Sequence, residues 1–295
     1  MKTPTNNGNL VSDAEFIMTS RDFAKIASIM HRDTGIALLE SKANLVYSRL
    51  AKRLRLLGLK SFEEYCHLIE QQSGTNGNER DAMIAALTTN VTRFFREPHH
   101  FEHLTKNIVP YMVTEAKLGK AVRIWSAACS SGQEPYSIAL SILSVFPEAN
   151  QYDLKILATD IDPNMIAHGI EAVYDSETVQ AIPTHLRQRY FSTAPKSSGS
   201  MVASAELRGL VTFRKLNLIG DWPIHGKFHA IFCRNVVIYF DQATQNKLWA
   251  RMVPMLTPGG VLYIGHSERV AGPAEALLRS DGVTTYRPVS AKAAS

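Results

Sequence analysis

Val122-Arg-Ile-Trp-Ser-Ala-Ala-Cys-Ser-Ser-Gly-Gln-Glu-Pro-Tyr-Ser137, an apolar helical run, and then Leu154-Lys-Ile-Leu-Ala-Thr-Asp-Ile-Asp162 decide the fold. A short apolar strand enters a loop of small residues, a helix starts at Pro135, and a second strand ends on an acid. This is the pattern of a βαβ nucleotide-binding unit spanning Arg123 to Asp160, with Asp160 placed to take ribose hydroxyls. Downstream, alternation continues: strands are predicted near 122–127, 154–159, 228–233, 260–265 and 283–287. Helices are predicted near 98–117, 134–146, 163–172 and 242–256, with Pro98, Pro135 and Pro163 as first-turn residues. The fold class is therefore α/β with a parallel, doubly wound sheet. Residues 190–215 break the rhythm, and Val202, Leu207, Leu210, Val211 and Phe213 between Ser/Gly turns read as a small β insertion.

Upstream of residue 90 the periodicity is helical only. Ser20 or Asp22 starts a helix with Phe23, Ile26, Ala27 and Met30 on one face and Gly35 after it. Ser41 is expected to cap a second helix carrying Val46, Leu50, Leu54 and Leu57, stopped by Gly58. Ser61 and Glu64 form a capping-box signature for a third, Ser73–Asn78 reads as a polar loop, and a fourth spans about 79–87. The predicted organisation is a disordered leader (1–15), a helical domain (16–89), a linker (90–97) and an α/β domain (98–295).

Composition narrows the class. The 295 residues, 45% hydrophobic and 20% charged, are those of a globular protein able to bury a sizeable core. No apolar run reaches the roughly 18 residues of a membrane span, and the polar start is no signal peptide. Cys66, Cys129 and Cys233 are odd in number, far apart and without metal-ligand spacing, which points to a reducing cytoplasm. The net charge of +5 allows an acidic partner without requiring nucleic acid.

Two details in the β-loop-α turn lean away from a dinucleotide. Ala127–Gly132 contains one glycine rather than G-x-G-x-x-G, and Glu134 at the helix start would repel a pyrophosphate. A carboxylate there suits a cationic group such as an amino-acid amine, with helix N-capping as the alternative. The strand Phe228–Cys233 runs into Arg234-Asn235 at a carboxyl end, where ligands bind in open α/β sheets, and Tyr239 follows.

Asn90-Val-Thr-Arg-Phe-Phe-Arg-Glu-Pro-His-His-Phe101, Trp125-Ser-Ala-Ala, Gly132-Gln-Glu-Pro-Tyr-Ser, Ala158-Thr-Asp-Ile-Asp162, Asn217-Leu218, Cys233-Arg-Asn-Val-Val-Ile-Tyr-Phe-Asp241 and Gly265-His-Ser-Glu268 resemble the CheR-type chemotaxis receptor methyltransferases, in the same order, over about residues 20–288. The resemblance implies a Rossmann-like class I methyltransferase domain preceded by a small all-helical domain. It implies S-adenosylmethionine as cofactor and glutamate side chains of chemoreceptors as substrate. Carried onto this sequence, it places Asn90, Thr92, Arg96, Glu134, Asp160, Asn217, Leu218, Arg234 and Asn235 at the cofactor. Asp160 would take the ribose, Asn217 and Leu218 would lie by the adenine, and Glu134 would sit near the methionyl end.

A glutamate carboxylate is already ionised at neutral pH, so its attack on a sulfonium methyl needs positioning rather than a base. Arg96 or Tyr239 is expected to orient that carboxylate. On the second helix Lys42, Arg49, Lys52 and Arg53 fall within an arc of about 100°. In the family the corresponding basic helix recognises the acidic methylation region of the receptor; a plain solvated face is the alternative. Some members also dock a receptor C-terminal peptide on the β insertion through a glycine-rich turn. This chain has Ser192-Thr-Ala-Pro-Lys-Ser-Ser-Gly-Ser200 there, and no such docking is predicted. His99, His100 and His103 read as surface and packing residues, so no metal is expected. The expected protein is a cytoplasmic monomer that neither inserts in a membrane nor binds nucleic acid. The rival readings are a non-catalytic S-adenosylmethionine-binding signalling domain and a nucleic-acid methyltransferase. Arg-Asn-Val-Val-Ile-Tyr, where an amino-methylating enzyme would carry Asn-Pro-Pro-Tyr, argues against the latter.

Overall fold

The computed structural model describes residues 10–11, 15–71, 79–195 and 199–289. Most of the expected leader and the polar loop 73–78 lie outside the described residues, as does part of 197–200. The chain divides after Thr89 into two compact units.

The first unit is helical: α1 (Ser20–Thr34), α2 (Ala43–Leu57), α3 (Phe62–Gln71) and α4 (Glu79–Leu87). Thr19, rather than Ser20 or Asp22, caps α1, in a reciprocal capping box with Asp22. Gly35 (φ 74°) and Gly58 (φ 68°) close α1 and α2 in the left-handed conformation that suits glycine. Ser41 does not cap α2; it lies in a 3-10 turn, Glu40–Lys42, that leads into it. Glu64 reaches back to the Lys60 N–H at 2.8 Å while Ser61 Oγ accepts from Glu64 N, so the α3 box is offset by one residue. Phe23, Ile26, Val46, Leu50, Leu54, Phe62, Tyr65 and Met83 build the core, whereas Leu57 remains 39% exposed.

The second unit contains α5 (Pro98–His103), α6 (Val109–Lys117), β1 (Val122–Ala127), α7 (Gln133–Val145), β2 (Leu154–Asp160), α8 (Pro163–Glu171), β3 (Val173–Asp175), α9 (Thr184–Tyr190), β4 (Phe191–Thr193), β5 (Ser200–Ala203), α10 (Ala205–Gly209), β6 (Val211–Lys215), β7 (Phe228–Cys233), α11 (Gln242–Met252), β8 (Leu256–Ile264), β9 (Leu278–Gly282) and β10 (Thr285–Pro288). A seven-stranded sheet runs in the order β6-β2-β1-β7-β8-β10-β9. The first five are parallel, and β10 pairs antiparallel with both β8 and β9. Chain order reverses between β1 and β7, which makes their carboxyl ends the topological switch point where α/β sheets bind ligands. β1 and β7 are buried along nearly their whole length, as central parallel strands require.

Three further expectations are corrected. The helix predicted over 98–117 is interrupted by a π-helical segment, Leu104–Ile108, because Pro110 has no N–H for the Lys106 carbonyl and the coil widens ahead of it. The helix predicted to 256 stops at Met252, with Pro254 in a 3-10 turn behind it. The insertion is not 190–215: β4 and β5 pair with the earlier β3 in a three-stranded sheet. Val211–Lys215 instead extends the main sheet as β6, in parallel register with Ile156–Asp160. Among the described residues no helix is long and apolar enough to cross a membrane.

Candidate functional site

The turn after β1 holds three left-handed residues, Ala128 (φ 63°), Ser130 (φ 50°) and Gly132 (φ 96°). At Gly132 a Cβ would lie 2.8 Å from Tyr174 Oη and 3.0 Å from Gly169 Cα, so only glycine fits both the angle and the space. This folds the turn onto the end of β2. Ser130 N–H donates to Asp160 Oδ2 at 2.8 Å, and Asp162 N–H donates to Oδ1 at 3.0 Å. Asp160 is 6% exposed. Burial lifts its carboxyl above the ordinary range, against the pull of these two N–H donors. Asn90 joins this corner, donating to Asp162 Oδ2 at 2.9 Å and accepting on its carbonyl from Ser130 Oγ at 2.7 Å. Leu216 N–H donates to the Asp160 carbonyl, which brings Asn217 and Leu218 alongside. Asn217 Oδ1 caps the Ile219 N–H, and the Leu218 carbonyl accepts from Trp222 Nε1 and Arg251.

The second half of the site is built around Arg234, whose side chain is 1% exposed. It donates to Glu134 Oε2 at 3.0 Å and to the Arg96 carbonyl, and lies 3.3 Å from Glu97 Oε2. Glu134 does not cap its helix; its other oxygen accepts from Ser126 Oγ at 2.7 Å. Burial raises the Glu134 carboxyl, opposed by Arg234. Glu97 is half-buried, and Arg234 with bonds from His266 and Asn235 outweighs that burial and holds its carboxyl down at about 2. Asn235 is left-handed (φ 58°), and its turn is organised by a buried acid that the sequence reading did not single out. Glu268 Oε2 accepts from Asn235 N and Gly265 N, and Oε1 accepts from Val236 N and Val237 N, at 2.6 to 2.9 Å. Tyr239 stands at the end of the 3-10 turn Val237–Tyr239, half-buried. Arg96 donates its guanidinium to the Val91 carbonyl at 3.0 Å. Thr92 is half-buried on the same segment.

The structure thus brings Asn90, Asp160, Glu134, Arg234, Asn235, Asn217 and Leu218 to the carboxyl ends of the parallel strands, with Arg96 tied in through its backbone. Glu97, Ser126, Ser130 and Glu268 belong to the same network and were missed. Glu97 lies within one of the quoted motifs and Glu268 ends another, but only folding reveals what their carboxylates reach. The residue set fits S-adenosylmethionine: a buried acid to accept from hydroxyls and a second acid at a helix start. Glu97, His99 and His100 offer ligand atoms within 4.8 Å of one another. The Arg234 guanidinium already faces that Glu97 oxygen, which opposes a second cation there. His103 lies 2.9 Å from Tyr263 Oη and 3.1 Å from Asp281.

In the helical unit the basic stripe is only partly free. Arg53 makes a two-pronged ion pair with buried Glu79, which also accepts from Tyr65 Oη at 2.9 Å. Arg49 donates to the carbonyls of Ala86, Leu87 and Thr88, closing the end of α4. Lys42 and Lys52 are exposed.

Known proteins resemble this chain over most of its length. A "Probable chemotaxis protein methyltransferase" of Rhizobium etli is 49% identical over 88% of this chain and 96% of its own. "Chemotaxis protein methyltransferase 2" of Pseudomonas aeruginosa is 43% identical over 97% of this chain and 99% of its own. The "Chemotaxis protein methyltransferase" of Escherichia coli is 39% identical over 85% of each. Residues 21–88 match "CheR methyltransferase, all-alpha domain", and residues 90–285 match "CheR methyltransferase, SAM binding domain". The chain belongs to the CheR methyltransferase family, the S-adenosylmethionine-dependent methyltransferases of chemotaxis.

Proposed function

We propose that this chain methylates glutamate side-chain carboxylates in the cytoplasmic methylation region of chemoreceptors, giving methyl esters. The observation that carries the reading is that the acids at the carboxyl ends of the strands are already engaged. Glu134 and Glu97 face Arg234, Asp160 accepts two backbone N–H groups, and Glu268 accepts four. Such a site offers no poised general base, which suits a nucleophile that arrives ionised. S-adenosylmethionine supplies an electrophilic methyl group on sulfur. The chain's own residues hold and orient: Asp160 takes ribose hydroxyls, and Asn217 and Leu218 flank the adenine. Asn90, Thr92, Glu134, Arg234 and Asn235 shape the remainder of the cofactor site.

Arg96 and Tyr239 orient the incoming carboxylate. A tight cationic clamp would stabilise the ground state, whose charges disappear during transfer, so a hydrogen-bonding role suits both better than full ion pairing. Receptor attraction falls to the exposed lysines Lys42 and Lys52, while Arg49 and Arg53 keep α2 and α4 in shape. We expect the enzyme to act in the cytoplasm as a monomer. The test is incubation with methyl-tritiated S-adenosylmethionine and receptor fragments. Label released as methanol by mild alkali supports the proposal; alkali-stable label, or none, overturns it.

A further inference from the structure

Arg96 lies between two residues in the left-handed region, Phe95 (φ 51°) and Glu97 (φ 59°). Neither is glycine or asparagine, so the surroundings must impose this backbone. Three restraints do so. Phe95 N–H donates to Ser137 Oγ on α7 at 2.9 Å, and the Arg96 carbonyl accepts from buried Arg234. The third is the Glu97 side chain. Glu97 occupies the N-cap of α5, yet it makes no side-chain cap bond. Its carboxylate turns to the ends of β7 and β8 instead. Oε1 accepts from Asn235 Nδ2 at 3.3 Å and lies 3.2 Å from His266 Nδ1, and Oε2 faces Arg234. The carboxylate is mostly enclosed, with the side chain 11% exposed. Within α5 its contact is with His100, whose Nδ1 lies 3.6 Å from Oε2; an acid that makes no cap bond and binds two strand-end loops is positioned for more than capping.

We propose that Glu97 is a positioning residue for methyl transfer, fixing the direction of Arg96 by locking the 95–97 backbone onto the loops after β7 and β8. The inference rests on the glutamate-methylation reading above. Removing the clamp lets the strained backbone relax and swings Arg96 off line, and small misplacements of a catalytic group cost large factors in rate.

The test is a double-mutant cycle in the full-length enzyme, measuring kcat for alkali-labile ester on a receptor fragment with both substrates saturating. Glu97→Ala should lower kcat at least about tenfold in the wild-type background and less than about twofold in an Arg96→Ala background. Glu97→Gln, which keeps one acceptor oxygen, should recover part of the loss. Equal losses in both backgrounds overturn the proposal, as does an Arg96→Ala enzyme with wild-type kcat. Should the alanine variant fail to fold, the cycle run with Glu97→Gln decides by the same criterion. A wild-type enzyme that forms no alkali-labile ester overturns the functional reading and this role with it. A working wild type with additive losses overturns only the role of Glu97.

Discussion

Glu268→Gln changes one oxygen for an NH2 group and almost no volume, yet it should cripple the site. Each carboxylate oxygen accepts two backbone N–H groups, so either orientation of the amide turns its NH2 toward two donors. Two charge-assisted bonds vanish and two enclosed N–H groups lose their acceptor, at roughly 1–3 kcal/mol each. After partial relaxation the loss should be about 3–4 kcal/mol. For a unit of this size that lowers Tm by about 8–12 °C. The assay is favourable, because Trp125, Trp222 and Trp249, the three tryptophans, all follow Thr89. Tryptophan fluorescence during urea unfolding therefore reports the second unit alone. Affinity for S-adenosylhomocysteine should fall in parallel, since Arg234 and Asn235 begin the turn that Glu268 holds. Burial lifts the Glu268 carboxyl above its ordinary range, and the four donors pull it down. A glutamine variant within 1 kcal/mol of wild type would mean that the acid is held protonated, and would refute its role as an anionic anchor.

Three further outcomes follow from the same geometry. Burial, with the Arg234 charge, depresses His100 to about 3, so the unfolded chain takes up a proton near pH 6.5 that the folded chain refuses. Stability should fall as pH drops below about 6.5, by about 2 kcal/mol at pH 5 from this residue, with Glu97 adding a further loss between about 4.5 and 2. Urea unfolding of His100→Asn should show a shallower pH slope; an unchanged slope contradicts the assignment. Arg53→Ala should destabilise the helical unit by about 2 kcal/mol by taking the guanidinium from buried Glu79, whereas Lys52→Ala should cost under about 0.5 kcal/mol, followed by circular dichroism at 222 nm. Equal effects would remove the distinction between a structural and a free cation. Asp160→Asn should raise the Kd for S-adenosylhomocysteine at least about 30-fold in calorimetric titration, and a change below about threefold would displace Asp160 from the ribose.

The β-loop-α-β unit was legible because its signals are local: strand, small-residue turn and terminal acid lie within forty residues. In the site's other half Arg234 and Asn235 were legible at the end of a strand, but their partners were not. Glu268 reaches Asn235 across 33 residues, and Arg234 reaches Glu134 across 100, which no periodicity encodes. The helical wheel grouped Arg49 and Arg53 with Lys42 and Lys52, although Lys42 closes the 3-10 turn before α2 rather than lying on the helix. It could not show that Glu79, 26 residues beyond Arg53, folds back to take that charge. Val211–Lys215 misled for a related reason: a short apolar strand reads the same at the edge of either sheet, and only its pairing with β2 decides.

The central claim is the chemistry of the product. A receptor cytoplasmic fragment incubated with enzyme and S-adenosylmethionine should gain one methyl mass on glutamate side chains, located by tandem mass spectrometry and erased by mild alkali. A methyl group found on another residue type, or one that survives alkali, would contradict the account.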